Sequence, residues 1–186
     1  KTREKLLQAA EIEFGERGFH EAAISGITQR AGVALGTFYV YFDSKEEVFR
    51  ALVSYMNQLT RKWISERIAE SPDRLTAERR GVRAFLEFVR QHRNLYRIVS
   101  EAQFVAEDAF REYYSSFEEA YRQNLETAVA NGEIREGDCE VWSWSLIGMT
   151  VFLGMRFALW DDERSLKETA DAAADLISSG MSATKD

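Results

Sequence analysis

The sequence holds one cysteine, one proline and two histidines among 186 residues. Cys139 alone can form no disulfide framework, and its solitude suits a reducing compartment such as the cytoplasm. His20 and His92 are too few for the usual zinc or di-iron ligand sets, and no Glu-x-x-His spacing occurs. No metal centre, no cofactor and no enzymatic reaction are therefore expected. One proline and eleven glycines leave too few breaks for an all-β chain. Neither end shows a basic stretch followed by an apolar one, so a secretory signal is not expected either. What is abundant is the mixture typical of long helices in a water-soluble domain: 45% hydrophobic and 30% charged residues.

Long hydrophobic runs are almost as scarce. The one candidate, residues 141–160, is interrupted by Ser143, Ser145, Gly148, Thr150 and Arg156, and acidic residues flank it on both sides. A span needs about 20 apolar residues and a basic cytoplasmic flank. This segment is expected to be a buried interface helix, with no membrane partner.

Positive charge is also in deficit. The net charge is −7, and residues 1–47 carry six Lys/Arg against eight Asp/Glu. Because nonspecific affinity for DNA comes from cations that displace counterions, a nucleic-acid reader here must work by placement of side chains.

Helical periodicity covers nearly the whole chain and predicts an all-α fold of about nine helices. Leu6, Leu7, Ala10 and Phe14 form one stripe, which Gly18 ends near Arg17 as a left-handed cap, with Phe19 folding back on Phe14. Ile24, Ile27 and Ala31 mark a short second helix stopped by Gly32, and Leu35, Phe38 and Phe42 a short third. Ser44-Lys45-Glu46-Glu47 is a capping box that opens a fourth helix, broken near Ser71-Pro72. Further helices are expected over roughly 74–91, 95–104, 108–131, 140–160 and 165–179.

Two short helices joined by Ala31-Gly32-Val33 and packed by a preceding helix make a helix-turn-helix pattern, whose second helix enters the DNA major groove. At 100° per residue, Leu35, Phe38 and Phe42 face inward. Gly36, Thr37 and Val40 then face outward, with Tyr39 and Tyr41 on the flanks. Thr and Val suit base edges and thymine methyls, and tyrosine hydroxyls suit phosphates. Lys45 opposes the dipole of the helix it begins, so a compensating anion is expected, and a DNA phosphate would serve.

The stretch from Gly18-Phe19 through Ile27, Ala31-Gly32-Val33 and Gly36-Thr37-Phe38-Tyr39-Val40-Tyr41-Phe42-Asp43-Ser44-Lys45-Glu46-Glu47-Val48-Phe49 closely resembles the amino-terminal signature of TetR family transcriptional regulators. The resemblance implies a DNA-binding head over 1–48 and an effector-binding and dimerisation body over 49–186. It also implies a homodimeric repressor released from a palindromic double-stranded operator by a small effector. Positions matching Thr37, Tyr39, Tyr41 and Lys45 commonly touch operator in that family. So do those matching Leu35 and Gly36 at the start of the recognition helix, and Ser25 and Thr28 in the helix before it. Three positions depart from the pattern: Ala22 and Ala34 stand where Thr and Ser often cap helices, and Leu35 stands where a polar reader is common. Ser25 or the backbone is expected to take over some of that capping. The rival reading is a protein-binding helical module that keeps the head without reading DNA.

The body is rich in aromatics, with eleven between Phe104 and Trp160. Phe110, Tyr114, Phe117 and Tyr121 track one helix face, with Tyr113 beside it. Met149, Phe152, Leu153 and Arg156 track another. With Phe85, Phe88, Tyr96, Val99 and Phe104 they are candidates to line a site for a largely apolar effector, an acyl-CoA or fatty acid being favoured. Arg156 is placed to meet a carboxylate or phosphate, or equally an acidic neighbour. The last two helices offer Trp142, Leu146, Met149, Leu153 and Phe157, together with Leu166, Ala170, Ala173, Ala174 and Ile177, for a twofold four-helix contact. Such a dimer would set its recognition helices about 34–36 Å apart.

Overall fold

A computed structural model describes residues 1–183 and shows nine α-helices with one π-helical turn. The helices are α1 (Thr2–Glu21), α2 (Ile24–Ala31), α3 (Leu35–Tyr41), α4 (Lys45–Ile68), α5 (Arg74–Gln91), α6 (Arg93–Val105), α7 (Glu107–Ala130), α8 (Cys139–Gly154) and α9 (Leu166–Met181). Their only β pairing among the described residues is an isolated bridge between Ile134 and Ser182. Two compact units result: Lys1–Gln58 with His92–Tyr114, and Leu59–Gln91 with the chain from Ser115 onward. They differ from a division after residue 48, because α6 and the start of α7 group with the amino-terminal helices.

In the first unit the predicted stripes become a core of stacked rings. Phe14 stacks on Phe19 at 5.9 Å, and both meet the edge of Phe49, at 5.3 and 5.2 Å. Leu6, Ala10, Ile27, Phe38, Phe42, Val48 and Leu52 close around them. Helices α1 and α6 approach closely because Gly15 has no side chain, and Asn94 occupies the space a β-carbon would fill. Gly18 breaks α1 as expected, but at φ 75°, ψ 168°, an extended positive-φ conformation rather than a left-handed helical one. The difference has a cause: the Phe19 N–H donates to the Glu101 carboxylate of α6 at 2.9 Å instead of to a carbonyl of the preceding turn.

The second unit is built on α5. Val82, Leu86, Phe88 and Val89 are buried, and Trp63 of α4 donates its indole N–H to the Ala84 carbonyl at 2.9 Å. Helix α9 turns its small residues Ala170, Ala173 and Ala174 inward with Leu166 and Ile177. Two of the sequence's expectations change here. The stripe of α9 assigned to a dimer contact is instead core within one chain. The helix expected over 140–160 switches at Gly154 into the π-helical turn Met155–Leu159, where Arg90 of α5 donates to the carbonyls of Phe157, Asp161 and Arg164.

A buried charged cluster ties α5 to α7. Glu78 accepts from Arg74 Nε at 2.8 Å and from the Tyr121 hydroxyl, and both members of the ion pair are almost wholly enclosed. Burial pushes the Glu78 carboxyl upward, while Arg74 and the Tyr121 hydrogen bond pull it back. Arg74→Leu removes the counter-charge, so stability near neutral pH should fall by about 3–5 kcal/mol. The carboxyl of that variant is raised still further above its unfolded value. Its protonated form therefore needs no partner, and the deficit should shrink as pH falls toward the unfolded Glu range and grow as pH rises. Urea unfolding across that range checks both sign and size.

Candidate nucleic-acid interface

The amino-terminal helices form a rigid mount for a short projecting helix. Helix α2 ends at Gly32, whose φ of 67° and ψ of 38° are left-handed, so the chain reverses within three residues into α3. Phe38 and Phe42 are buried and fix α3 on its inner side. Val40, opposite them, is 75% exposed, and Tyr39 and Tyr41 stand out on either flank. Gly36 is exposed with open space where a β-carbon would lie. Leu35 does not face inward as the helical wheel suggested. It is 52% exposed, because the first residue of so short a helix lies beyond the edge of the core.

Behind this face, a charge network sets the angle of α2 to α1. Glu13 is buried at 3% exposure, accepts from Arg30 of α2 at 2.8 Å and forms an ion pair with Arg17 at 3.2 Å, and Arg30 also reaches Glu16. A β-carbon on Gly26 would collide with the Glu13 carboxylate, so a glycine there lets α2 lie against α1. Sequence reasoning missed this cluster. Its signal was present, since Glu13 falls on the apolar stripe that runs through Leu6 and Ala10.

Lys45 occupies a different role from the one its sequence position suggested. Its ammonium donates to the carbonyls of Phe19 at 2.7 Å, Ala22 at 2.9 Å and His20 at 3.2 Å, and it lies 4.6 Å from the Phe19 ring. All three N–H donors are thereby taken. The negative end of α1, not a phosphate, supplies the compensation that a cation at the start of α4 requires. The capping box at Ser44 is present with a shifted return bond: Ser44 Oγ accepts from the Glu47 N–H at 3.1 Å, while the Glu47 carboxylate accepts from the Asp43 N–H.

Thr28 also turns inward. It is buried, and its hydroxyl donates to the Ser25 carbonyl at 3.1 Å, so it shapes α2 without reaching the surface. Ser25 is exposed but caps nothing; α2 and α3 begin after Ala23 and Ala34 with no side-chain cap. The structure thus brings Leu35, Gly36, Tyr39, Val40 and Tyr41 to one exposed surface with Thr37 half-buried beside them, and sets Thr28 and Lys45 behind it.

The candidate effector residues divide between the two units. In the first, Val99 and Tyr113 are buried, and Tyr96, Phe110 and Tyr114 are half-buried. Burial pushes the Tyr96 phenol up, and neighbouring Tyr114 adds to it. Phe104 is 84% exposed and lines no interior space. In the second unit Phe88 is fully buried, Phe85 lies against Gly154, and Phe117, Tyr121, Met149 and Leu153 are half-buried. Phe152 projects outward on α8. Arg156 is exposed, with Asp161 at 3.4 Å and the Phe157 ring at 5.0 Å, so the acidic neighbour is its partner. An open groove of about 460 Å³ between α7 and the start of α8 contains none of these residues. It is lined instead by Arg122, Glu126, Asp138, Cys139 and Glu140 among others.

Replacing Lys45 with methionine should keep the chain helical yet lower the stability of the head by about 2 kcal/mol, since three carbonyls lose a charged donor. Faster amide exchange confined to the Gly18–Ile24 turn and α2 is the expected signature in hydrogen-exchange measurements.

Comparison with known proteins gives this geometry a context. Residues 6–52 match the model of the bacterial regulatory proteins of the tetR family. The HTH-type transcriptional regulator YdgC of Bacillus subtilis is 28% identical over 177 residues, covering 95% of this chain and 89% of that protein. Among solved structures, the fatty acid degradation regulator FadR of Bacillus halodurans superposes with a TM-score of 0.83 at 21% identity, over 95% of this chain and 94% of that one. FadR of Bacillus subtilis in complex with stearoyl-CoA gives 0.81 at 22%, over 95% and 98%. AibR in complex with isovaleryl coenzyme A and operator DNA gives 0.76 at 18%, over 95% and 97%. Residues 6–52, which hold the helix-turn-helix, thus resemble the amino-terminal part of the tetR family of bacterial regulatory proteins, and the helical chain as a whole shares the fold of these solved structures.

Proposed function

We propose that the protein is a homodimeric, cytoplasmic transcriptional repressor that holds a palindromic operator through α3 and lets go when its body takes up an acyl-coenzyme A. The observation that carries the DNA reading is the projection of α3: its outer residues are exposed while its inner phenylalanines lock it to the core. A side chain as apolar as Val40 left 75% exposed on so rigid a mount is explained by a surface that receives it.

The second copy is argued from α8. By length and composition Cys139–Leu159 is long and apolar enough to cross a membrane, with mean hydropathy 1.2, yet only about a fifth of its apolar window is buried within the chain. Its exposed residues Val141, Trp144 and Phe152 recur at helical spacing, and Leu176 of α9 and Trp160 are exposed as well. An isologous contact through this face would cover it, using the opposite side of the helix from Leu146.

The effector class is supported by the relatives, since two proteins of this fold hold stearoyl-CoA and isovaleryl coenzyme A. The aromatic and aliphatic side chains of the body suit an acyl chain. With Arg156 engaged by Asp161, recognition of the coenzyme A phosphates falls to other cations.

Electrophoretic mobility shift with the gene's own upstream region tests the DNA reading. A shifted complex should form, weaken as salt rises, and dissociate on addition of micromolar stearoyl-CoA. Absence of any complex would remove the repressor reading in favour of a protein-binding module. Tyr41→Ala should weaken the complex about tenfold while leaving the dimer intact, because a flanking phosphate contact is lost. Phe152→Asp should give a monomer in sedimentation, with DNA affinity reduced further than by any single change on α3.

A further inference from the structure

The exposed face of α3 has a chemical character of its own. The helix reads Leu-Gly-Thr-Phe-Tyr-Val-Tyr and contains no arginine, lysine, asparagine, glutamine or carboxylate. Guanine is read in the major groove by Arg or Lys, adenine by Asn or Gln, and cytosine by a carboxylate. None of these pairings is available from α3. Among the neighbouring cations, Arg30 is paired with Glu13 and Glu16, Arg17 with Glu13 and Lys45 with three carbonyls, while Arg3 lies over the Phe42 ring at 5.3 Å. What α3 does present is aliphatic surface, Val40 at 75% exposure and Leu35 at 52%, beside the open space at Gly36 that permits close approach. Thymine is the base whose major-groove edge carries a methyl group.

Resting on the DNA-binding reading above, we propose that Val40 and Leu35 determine operator specificity by packing on thymine 5-methyl groups, so that A·T pairs with accessible thymines occupy the positions beneath α3. Val40 lies at the centre of the exposed arc and Leu35 at the end of α3 that begins the helix. Tyr39 and Tyr41 stand on either side of Val40, toward the walls of the groove. The preference follows from a single group. Uracil offers the same O4 acceptor as thymine and the same pairing to adenine, so replacing one by the other removes the methyl contact and little else.

The test begins with duplexes selected from a randomised double-stranded pool by the full-length protein. Each thymine of the selected consensus is then replaced singly by deoxyuridine, and affinity is measured by fluorescence anisotropy. Substitution at two or three clustered positions per half-site should weaken binding about fourfold each, the value of one buried methyl carbon. The Val40→Ala protein, whose fold is checked by circular dichroism and thermal melting, should show less than about twofold sensitivity at the position it vacates, which is the coupling expected of a direct contact. If selected duplexes bind equally well with uracil at every position, or if Val40→Ala retains the full uracil penalty, the methyl reading is overturned while DNA binding stands. If no duplex is selected, the DNA-binding reading itself fails, and this proposal with it.

Discussion

Three hydrogen bonds from one ammonium group fix where the recognition helix points. Lys45 begins α4, yet its donors close the end of α1 and the turn beyond it, at Phe19, His20 and Ala22. Because α2 starts two residues after Ala22, the same contact sets where α2 departs, and α3 follows α2 through only three residues. Glu101 holds the turn from the other side by accepting the Phe19 N–H. A carboxylate on α6 and an ammonium on α4 thus grip one segment whose backbone, at Gly18, takes a conformation that side-chain-bearing residues rarely adopt. A grip of this kind suits a reader that must present side chains to within a few tenths of an ångström.

The body solves a different problem. The apolar face of its central helix α5 is covered within the chain: small residues of α9 pack inward, and Glu78 is held by Arg74 and Tyr121. Helix α8 is not satisfied. Leu146 and Ser143 face the core, and the hydroxyl of Ser143 donates to Glu118 at 2.9 Å, whereas the far side is apolar and open. An amphipathic helix buries one stripe and exposes polar residues on the other. A helix with an apolar outer face, lying at a surface, is what the proposed contact with a second copy would cover.

Much of this was legible in the sequence, and the rest was hidden for identifiable reasons. The 3.6-residue repeat located all nine helices, and glycine and the capping box placed the ends of α1, α2 and α4 close to where they fall. Helical period alone could not say which apolar stripe of α8 and α9 meets its own chain and which meets another, because both stripes look alike until packing partners are known. That is why Ala170 and Ala174 were assigned to a dimer and proved to be core. Thr28 and Lys45 carry residue types that suit a phosphate, and both donate to backbone carbonyls of the head instead, Thr28 within its own helix and Lys45 at the end of α1. The Glu13 cluster was missed because a carboxylate on an apolar stripe reads as an interruption unless its cations, four and seventeen positions away, are recognised as its partners.

The acidity of the head, at first sight an argument against DNA, fits this arrangement. Cations bound internally are largely withdrawn from the counterion exchange that drives nonspecific binding. In the DNA-binding reading proposed above, this pairing lowers the affinity for arbitrary duplex, and the specificity ratio depends on that denominator as much as on the specific contacts. The aliphatic part of the α3 face gains nothing from a phosphate backbone, and two flanking phenols offer phosphates uncharged donors only. Pairing Arg30 and Lys45 within the head thus does two things with the same charges. It stiffens the mount of α3, and it lowers the attraction of every wrong sequence.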